Sequence, residues 1–576
     1  MSPPRRARDL TADYIVVGAG SAGAALAARL SEDPAVSVLL LEAGGPDKAL
    51  ELHVPAAFKK LFRGAYDWNY DTVPQPALEN RSIYWPRGKT LGGSSSLNAM
   101  MWILGFAADY DDWADAAGER WSWRSLVPYF LRVERTEDPA DPTQGSHGPQ
   151  HVQHQRDPRP HTAAFLRAAA EAGHAVTAPN LPEAQGFAQT MVSQHRGARA
   201  STADAYLRPA KGRPNLRVMT GALVRRVTFA PESVGVDERT NARVEDDSAG
   251  DVLATADRTQ SGGTGERPRA TGVYVDVDGV TRHAMARREV ILAGGTVNTP
   301  QLLMLSGIGP AEHLAEHGIP VVVDSSDVGA NLQDHLVAGL APAAKGGTLF
   351  GAEAIGELAR YLTGRRGMLT SNVGEAYGYV RTEVADRIGM ADALPDIEIV
   401  FAPGPFVGEG LVPLPAEGLT VAAMLLRPRS RGTIRLRSAD PGDKPAIDPK
   451  YLSDPGGIDE ATLLAGIAAC ERLIATDALR AVTTGGWVVP EDGERMTAAE
   501  RAELSLRRFS HTLYHPVGTA RMGSDAASVV DPELRVRGVD GLRVADASVI
   551  PSLIRGHTNA AAIVIGEVAA DLIRGR

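Results

Sequence analysis

The sequence is nearly without cysteine. One thiol, Cys470, in 576 residues excludes an internal disulfide framework and any cysteine-rich metal site, and such a chain suits a reducing compartment. Positive charge is also short: 60 Lys and Arg stand against 70 Asp and Glu, a net charge of −10. Nucleic-acid binding needs the opposite balance, because phosphate contacts require a surplus of basic residues. Long apolar runs are missing too. The nearest candidate, "YIVVGAGSAGAALAA" after the basic "RRAR", is preceded by Asp9 and Asp13, broken by Gly18, Gly20 and Gly23, and ended by Arg29. It is expected to be neither a signal peptide nor one of the roughly 20-residue apolar spans that cross a membrane. The expectation is a soluble, cytoplasmic protein. With 44% hydrophobic and 23% charged residues, the composition is globular, and the length suggests about two to four domains.

The same glycine-broken run is informative for what it holds. Tyr14–Val17 reads as a short strand, Gly18-x-Gly20-x-x-Gly23 opens a helix with Ala24, Leu26, Ala27 and Leu30, and Val36–Leu41 reads as a second strand ending at Glu42. A bare GxGxxG is weak, but strand, helix, second strand and terminal acid together form a dinucleotide fingerprint. Gly18 permits the tight turn, Gly20 lets backbone approach a pyrophosphate, and Gly23 lets helix and strand pack closely. The helix N-terminus then offers unpaired N–H groups to the phosphates, and Glu42 is placed to accept from a ribose diol.

Further along, "NLRVMTGALVRRVTF" and "ATGVYVDVDGVTRHAMARREVILAGG" alternate with period two, as strands do. The polar stretch between them, 231–270, cannot bury a core and reads as a solvated loop insertion. "DIEIVFAP" and "LTVAAMLLRP" read as strands and "IDEATLLAGIAACERLIA" as a helix, which suggests a second domain. "NAAAIVIGEVAADLIRG" is an apolar closing helix.

At "PRGKTLGGSSSLNAMMWILGFAADYDDW" the sequence strongly resembles the glucose–methanol–choline (GMC) family of FAD oxidoreductases. "GGTVNTPQLLMLSGIG", "GANLQDH", "RPRSRGTIRLRSADP" and "TLYHPVGTARMG" match as well, and with the fingerprint these motifs span nearly the whole chain. The resemblance implies a mixed α/β fold: a Rossmann-like FAD-binding domain from discontinuous segments (1–155, 200–312, 507–576) and a substrate domain (156–199, 313–506) with a large antiparallel sheet under covering helices. It implies that Asn98 and Ala99 lie along the isoalloxazine, that Val224 holds the adenine through backbone atoms, and that Asp546 and Ala547 close over the ribityl and pyrophosphate. Asn559 becomes a flavin-pyrimidine contact, unless it is the N-cap of the last helix. Ser21, Ala22, Ala43, Trp68, Arg87, Leu91, Gly92, Ser95, Met100, Ala293, Gly294 and Thr558 join Gly18, Gly20, Gly23 and Glu42 as cofactor contacts. Members with covalent flavin carry a histidine immediately before the asparagine; here that residue is Leu97, so FAD is expected to be bound noncovalently.

By the same resemblance, His515 sits at the flavin's reactive edge and His557 takes the second catalytic position, where relatives carry His or Asn. Alcohol oxidation needs loss of the hydroxyl proton and hydride transfer from the same carbon. An imidazole base suits the first, and a hydrogen bond from the partner histidine stabilises developing charge on oxygen. A metal site at His147, His151 and His154 is disfavoured, since no further ligand completes the set. The acid that choline oxidases carry after "QDH" is replaced by Leu336 and Val337, although Glu375 could substitute. The bias is therefore towards a neutral primary alcohol, aromatic ones included, with Tyr377, Phe401, Phe406 and Tyr514 as candidate stacking residues. Electrons would pass to O2 or a quinone-type acceptor. Two alternatives within the family are choline or another aliphatic alcohol as substrate, and a non-redox cyanohydrin lyase. A light-driven decarboxylase would need a reactive cysteine, whereas Cys470 reads as core.

Overall fold

The computed structural model describes residues 10–136, 144–181, 186–230, 267–390, 393–412 and 416–575. Strand β1 (Ala12–Val17), helix α1 (Ser21–Leu30) and strand β2 (Val38–Glu42) come first. β1 and β2 pair in parallel with Ile15 opposite Leu39 and Val17 opposite Leu41. Every residue of β2 is buried, as expected of a parallel strand covered on both faces. β3 (Phe187–Gln189) leaves for a second sheet before β4 (Leu216–Thr220) returns to pair in parallel with β2. β5 (Ala222–Phe229), β6 (Ala270–Val277) and the long β7 (Val280–Leu292) form an antiparallel meander. The end of β7 then runs parallel to β1 and leads into helix α2 (Gly295–Leu305).

β8 (Leu336–Ala344), β9 (Ala376–Val380), β10 (Ile397–Ala402) and β11 (Thr420–Leu425) build the second sheet. Helix α3 (Ile458–Ile474) covers it, and β12 (Thr483–Val489) and β13 (His511–Thr512) both pair with β8. The order is β12-β8-β11-β10-β9-β3, antiparallel throughout. β14 (Leu542–Val544) rejoins the first sheet beside β7, and helix α4 (Thr558–Arg574) closes the chain.

Two boundaries read from sequence move. Residues 231–266 of the expected insertion lie outside the described residues. Ala270, at its far end, is instead the buried first residue of β6, and the Arg269 carbonyl accepts the Ala230 N–H. Residues 511 and 512, assigned to the nucleotide-binding segments, pair with Val337 and Leu336 of the second sheet. The chain crosses between sheets just before His515.

α4 is buried on all sides from Ala560 to Ala570 and packs across α1. Small residues permit the close crossing: a Cβ on Gly566 would lie 2.4 Å from the Ala22 carbonyl oxygen. Gly566→Val is expected to cost about 1–3 kcal/mol by overpacking and, by pushing α1 away, to lower flavin content. A reduced melting temperature and a smaller ratio of flavin to protein absorbance would show it.

Candidate active site

β1 ends at Val17, and the chain turns through Gly18, at φ +104°, into α1. A Cβ on Gly18 would stand 2.3 Å from the Ala293 carbonyl oxygen, so only glycine serves there. α1 begins after Gly20 without a side-chain cap. Its first-turn N–H groups therefore lack an acceptor where Gly20, Ser21 and Ala22 line a cavity of about 320 Å³. A second glycine turn closes on the first: a Cβ on Gly93 would meet the Gly20 Cα at 2.7 Å. At the end of β2, Glu42 accepts the Ala19 N–H (2.9 Å) and the Gly44 N–H (2.8 Å). Burial raises its pKa to about 7, opposed by those two N–H groups.

Glu42 and Ala43 mark one end of the cavity wall. Val224, Ala293, Gly294, Asp546 and Ala547 continue it, followed by Trp68, Arg87, Asn98, Ala99 and Met100, and His515, His557, Thr558 and Asn559 complete it. Asp546 holds the start of α2, accepting from the Gly295 N–H (2.9 Å) and the Thr299 hydroxyl (2.6 Å). The N-cap of α4 is His557, not Asn559; Asn559 instead accepts the Ser21 hydroxyl at 2.7 Å, tying α4 to α1. Four expected contacts do not line the cavity. Gly23 packs against the Gly18 carbonyl. The Leu91 and Gly92 N–H groups donate to the Gly45 and Ala19 carbonyls. Ser95 is buried and donates to the Gly92 carbonyl. All four shape the cradle from behind. An uncapped helix N-terminus, two interlocked glycine turns and an acid at the neighbouring strand end fit a dinucleotide.

The other end holds the histidines. Pro516 restricts His515 to extended backbone, and Asp334 accepts the His515 N–H (2.9 Å) while receiving the Tyr451 hydroxyl (2.5 Å). The residue before, Tyr514, takes a left-handed conformation (φ +66°), as do the wall residues Met100 (+57°) and Val373 (+72°). Such backbone costs about 1–3 kcal/mol each and persists where surroundings enforce it. His515 and His557 lie with ring centroids 4.5 Å apart. His557 Nε2 is 3.1 Å from Glu398 Oε1, and His515 Nδ1 is 2.9 Å from Nδ1 of His335. Burial, followed by the neighbouring His557, His335 and Arg87, holds the pKa of His515 well below the ordinary imidazole value.

In sequence, His335 stands out only as part of "QDH" and Glu398 only inside "DIEIVFAP". The available signal was a carboxylate between two isoleucines in an otherwise apolar strand, since a buried charge needs a partner. Along the second sheet the wall carries Val337, Val400, Ala402, Ala422, Leu513 and Phe406, with Thr420 and His511 among them. Glu42 and Asp546 are the only acids on the wall among the described residues, and both belong to the nucleotide-binding elements. Glu375 is not a cation anchor, because its carboxylate is taken by Ser371, Thr162 and the Arg159 N–H. Of the four candidate stacking residues, Phe406 and Tyr514 line the cavity. Tyr377 is buried against Tyr379, and Phe401 stacks on Phe165 at 4.6 Å, both in the core. Cys470 is buried in α3, packed in the core of the second sheet. His151 stacks on His195 (3.9 Å) and His154 pairs with Met191 across two strands. No described helix is long and apolar enough to cross a membrane.

A family model described as GMC oxidoreductase matches residues 12–337 with its N-terminal part and 428–566 with its C-terminal part. An uncharacterized GMC-type oxidoreductase of Mycobacterium tuberculosis is 52% identical over 98% of this chain and 100% of its own. The alcohol dehydrogenase (acceptor) of Pseudomonas putida is 39% identical over 97% of this chain and 95% of its own. Among solved structures, pyridoxine 4-oxidase from Mesorbium loti matches with a TM-score of 0.82 at 30% identity, over 98% of this chain and 99% of that one. These matches span almost the full length: this chain belongs to the GMC oxidoreductases, a family of FAD enzymes.

Proposed function

We propose that the protein oxidises a neutral primary alcohol to its aldehyde, with FAD held noncovalently. The observation that carries this reading is the pair of buried histidines in contact beside a mainly apolar wall that, along the second sheet, holds no carboxylate among the described residues. FAD, when bound, supplies the hydride acceptor. The chain supplies the rest. His515 takes the hydroxyl proton through Nε2, the nitrogen opposite its contact with His335. His557, whose Nε2–H is held by Glu398, orients the same oxygen from its other side. Apolar residues around the pair exclude water and strengthen both interactions. The names of the Pseudomonas putida relative and the pyridoxine 4-oxidase structure support an oxidoreductase acting on alcohols. Choline is the weaker fit, because a quaternary ammonium calls for aromatic faces with a carboxylate, and no acid lines the substrate side among the described residues.

The test is anaerobic mixing of the purified yellow enzyme with benzyl-type alcohols, short aliphatic alcohols, hydroxymethylfurfural, glucose and choline. Bleaching by neutral alcohols and not by choline is the expected result. Bleaching by choline alone sinks the substrate class, and no bleaching by any alcohol turns attention to cyanohydrin cleavage. Readmitting air separates O2 from a quinone-type acceptor by the rate at which colour returns. Leu97, buried on the wall, offers no nucleophile, so acid precipitation is expected to release all the flavin into the supernatant. Yellow colour retained in the pellet would overturn noncovalent binding.

The depressed His515 pKa sets the pH profile. A base must be unprotonated, so kcat/KM is expected to stay on its plateau below pH 6.5, with its acid limb beneath the ordinary imidazole value. For stability the sign is opposite. Below pH 6.5 the unfolded chain takes up protons that buried His335, with a pKa of about 3, refuses. Folding stability therefore falls as pH drops from 6.5 towards 3, and denaturation midpoints across that range would register it.

A further inference from the structure

The two catalytic histidines differ in what stands behind them, and the difference fixes protons. His335 is fully buried. Its Nε2 lies 3.1 Å from the Leu426 carbonyl oxygen, which only accepts, so Nε2 carries the hydrogen. A neutral ring then has a bare Nδ1. That bare nitrogen is the one 2.9 Å from His515 Nδ1. Two bare nitrogens would repel at that distance, so His515 Nδ1 must be the donor. The proton order is therefore set from the backbone: the Leu426 carbonyl accepts from His335, with the Ile554 backbone also bonded to the ring, and His335 accepts from His515. What is left on His515 is a lone pair at Nε2, which makes no hydrogen bond among the described residues.

We infer that His335 is the positioning residue that locks His515 in its Nδ1–H tautomer, so that Nε2 presents a lone pair to the alcohol. This rests on the alcohol-oxidation reading for its kinetic consequence, but the tautomer itself does not. Nε2–H is the wrong form: it donates to the alcohol oxygen and cannot remove its proton. The lock needs a neutral His335, and burial, with the nearby His557, keeps it neutral, the pKa falling to about 3. The backbone holds the geometry as well, since the Leu513 N–H donates to the His335 carbonyl (2.8 Å) two residues before His515. His557 is held the other way, its Nε2 turned to Glu398. The two rings are thus held through different nitrogens, His515 through Nδ1 and His557 through Nε2.

The test uses the FAD-loaded enzyme and three variants. With ring-15N histidine, long-range 15N–1H correlations report the tautomer, and His515→Asn identifies the signal. The expected wild-type signal is Nδ1–H; in His335→Leu it shifts to Nε2–H. Anaerobic flavin reduction in His335→Leu is expected to slow by about 100-fold, in the range that acid–base catalysis contributes, with flavin content and substrate saturation unchanged. His335→Asn keeps an acceptor oxygen near the Nδ1 position and should recover to within about tenfold of wild type. An Nε2–H signal in the wild type overturns the inference without touching the proposed function. So does a His335→Leu rate within about threefold of wild type, or His335→Asn falling as far as His335→Leu, the mark of a purely packing role. If wild type bleaches with no alcohol, the functional reading fails, and the NMR signal still decides the tautomer.

Discussion

His515→Ala is expected to slow flavin reduction by about 1,000-fold while the protein keeps its flavin. His515 reaches the cavity from a short crossover whose backbone is fixed independently of its ring, by Pro516 and by the Asp334 bond to its N–H. Truncation therefore removes the proposed base and leaves the cradle of glycine turns and Glu42. Anaerobic stopped-flow mixing separates the two effects, since absorbance before mixing reports flavin and the bleaching rate reports chemistry. A loss under about tenfold would move the base to another residue, and His557→Ala measured alongside would identify it. His557→Ala alone is expected to cost about 100-fold, as loss of a group that orients the substrate oxygen does.

The second large effect is structural. Asp109→Ala is expected to destabilise the protein by about 3–5 kcal/mol and to displace His557. Asp109 and Arg555 are both buried, joined at 2.7 Å, and Asp109 also accepts the Arg555 N–H (2.8 Å) and the Phe106 N–H (3.0 Å). One carboxylate thus caps the helix Ala107–Ala117 and anchors the loop that delivers His557 two residues later. Removing it takes away the carboxylate that the buried Arg555 guanidinium meets at 2.7 Å. Urea midpoints of the holoenzyme measure the cost, and the bleaching rate should fall with it. Glu119→Ala, which breaks the exposed pair with Arg124, is the control and should leave both unchanged.

Much of this was legible in the chain. The fingerprint placed β1, α1 and β2 to within two residues, because parallel buried strands and a glycine turn leave strong local marks. His515 and His557 came from motif resemblance, and the structure sets them side by side. What escaped was nonlocal. Glu398 and His335 meet His557 and His515 across 159 and 180 residues, and no spacing rule predicts such pairs. Glu375 misled for the converse reason: its hydroxyl and backbone partners, Ser371, Thr162 and Arg159, were invisible as partners in sequence. Gly23, Leu91, Gly92 and Ser95 belong to the right turns, yet a motif does not say which side of a turn faces the cavity.

Alternation along a strand puts Glu398, Val400 and Ala402 on one face of β10, and His335 and Val337 stand two apart at the start of β8. The groups that hold protons and the groups that shape the substrate wall are interleaved on one pleated surface. Changing diet therefore endangers chemistry. A variant bred to accept a bulkier alcohol by carving at Val400 or Val337 works two positions from a residue that sets the histidines' protonation. Libraries that redesign this wall should lose turnover sooner than affinity, and the survivors should be those whose substitutions stay on β11, where Ala422 lines the cavity and no side chain of the histidine relay resides.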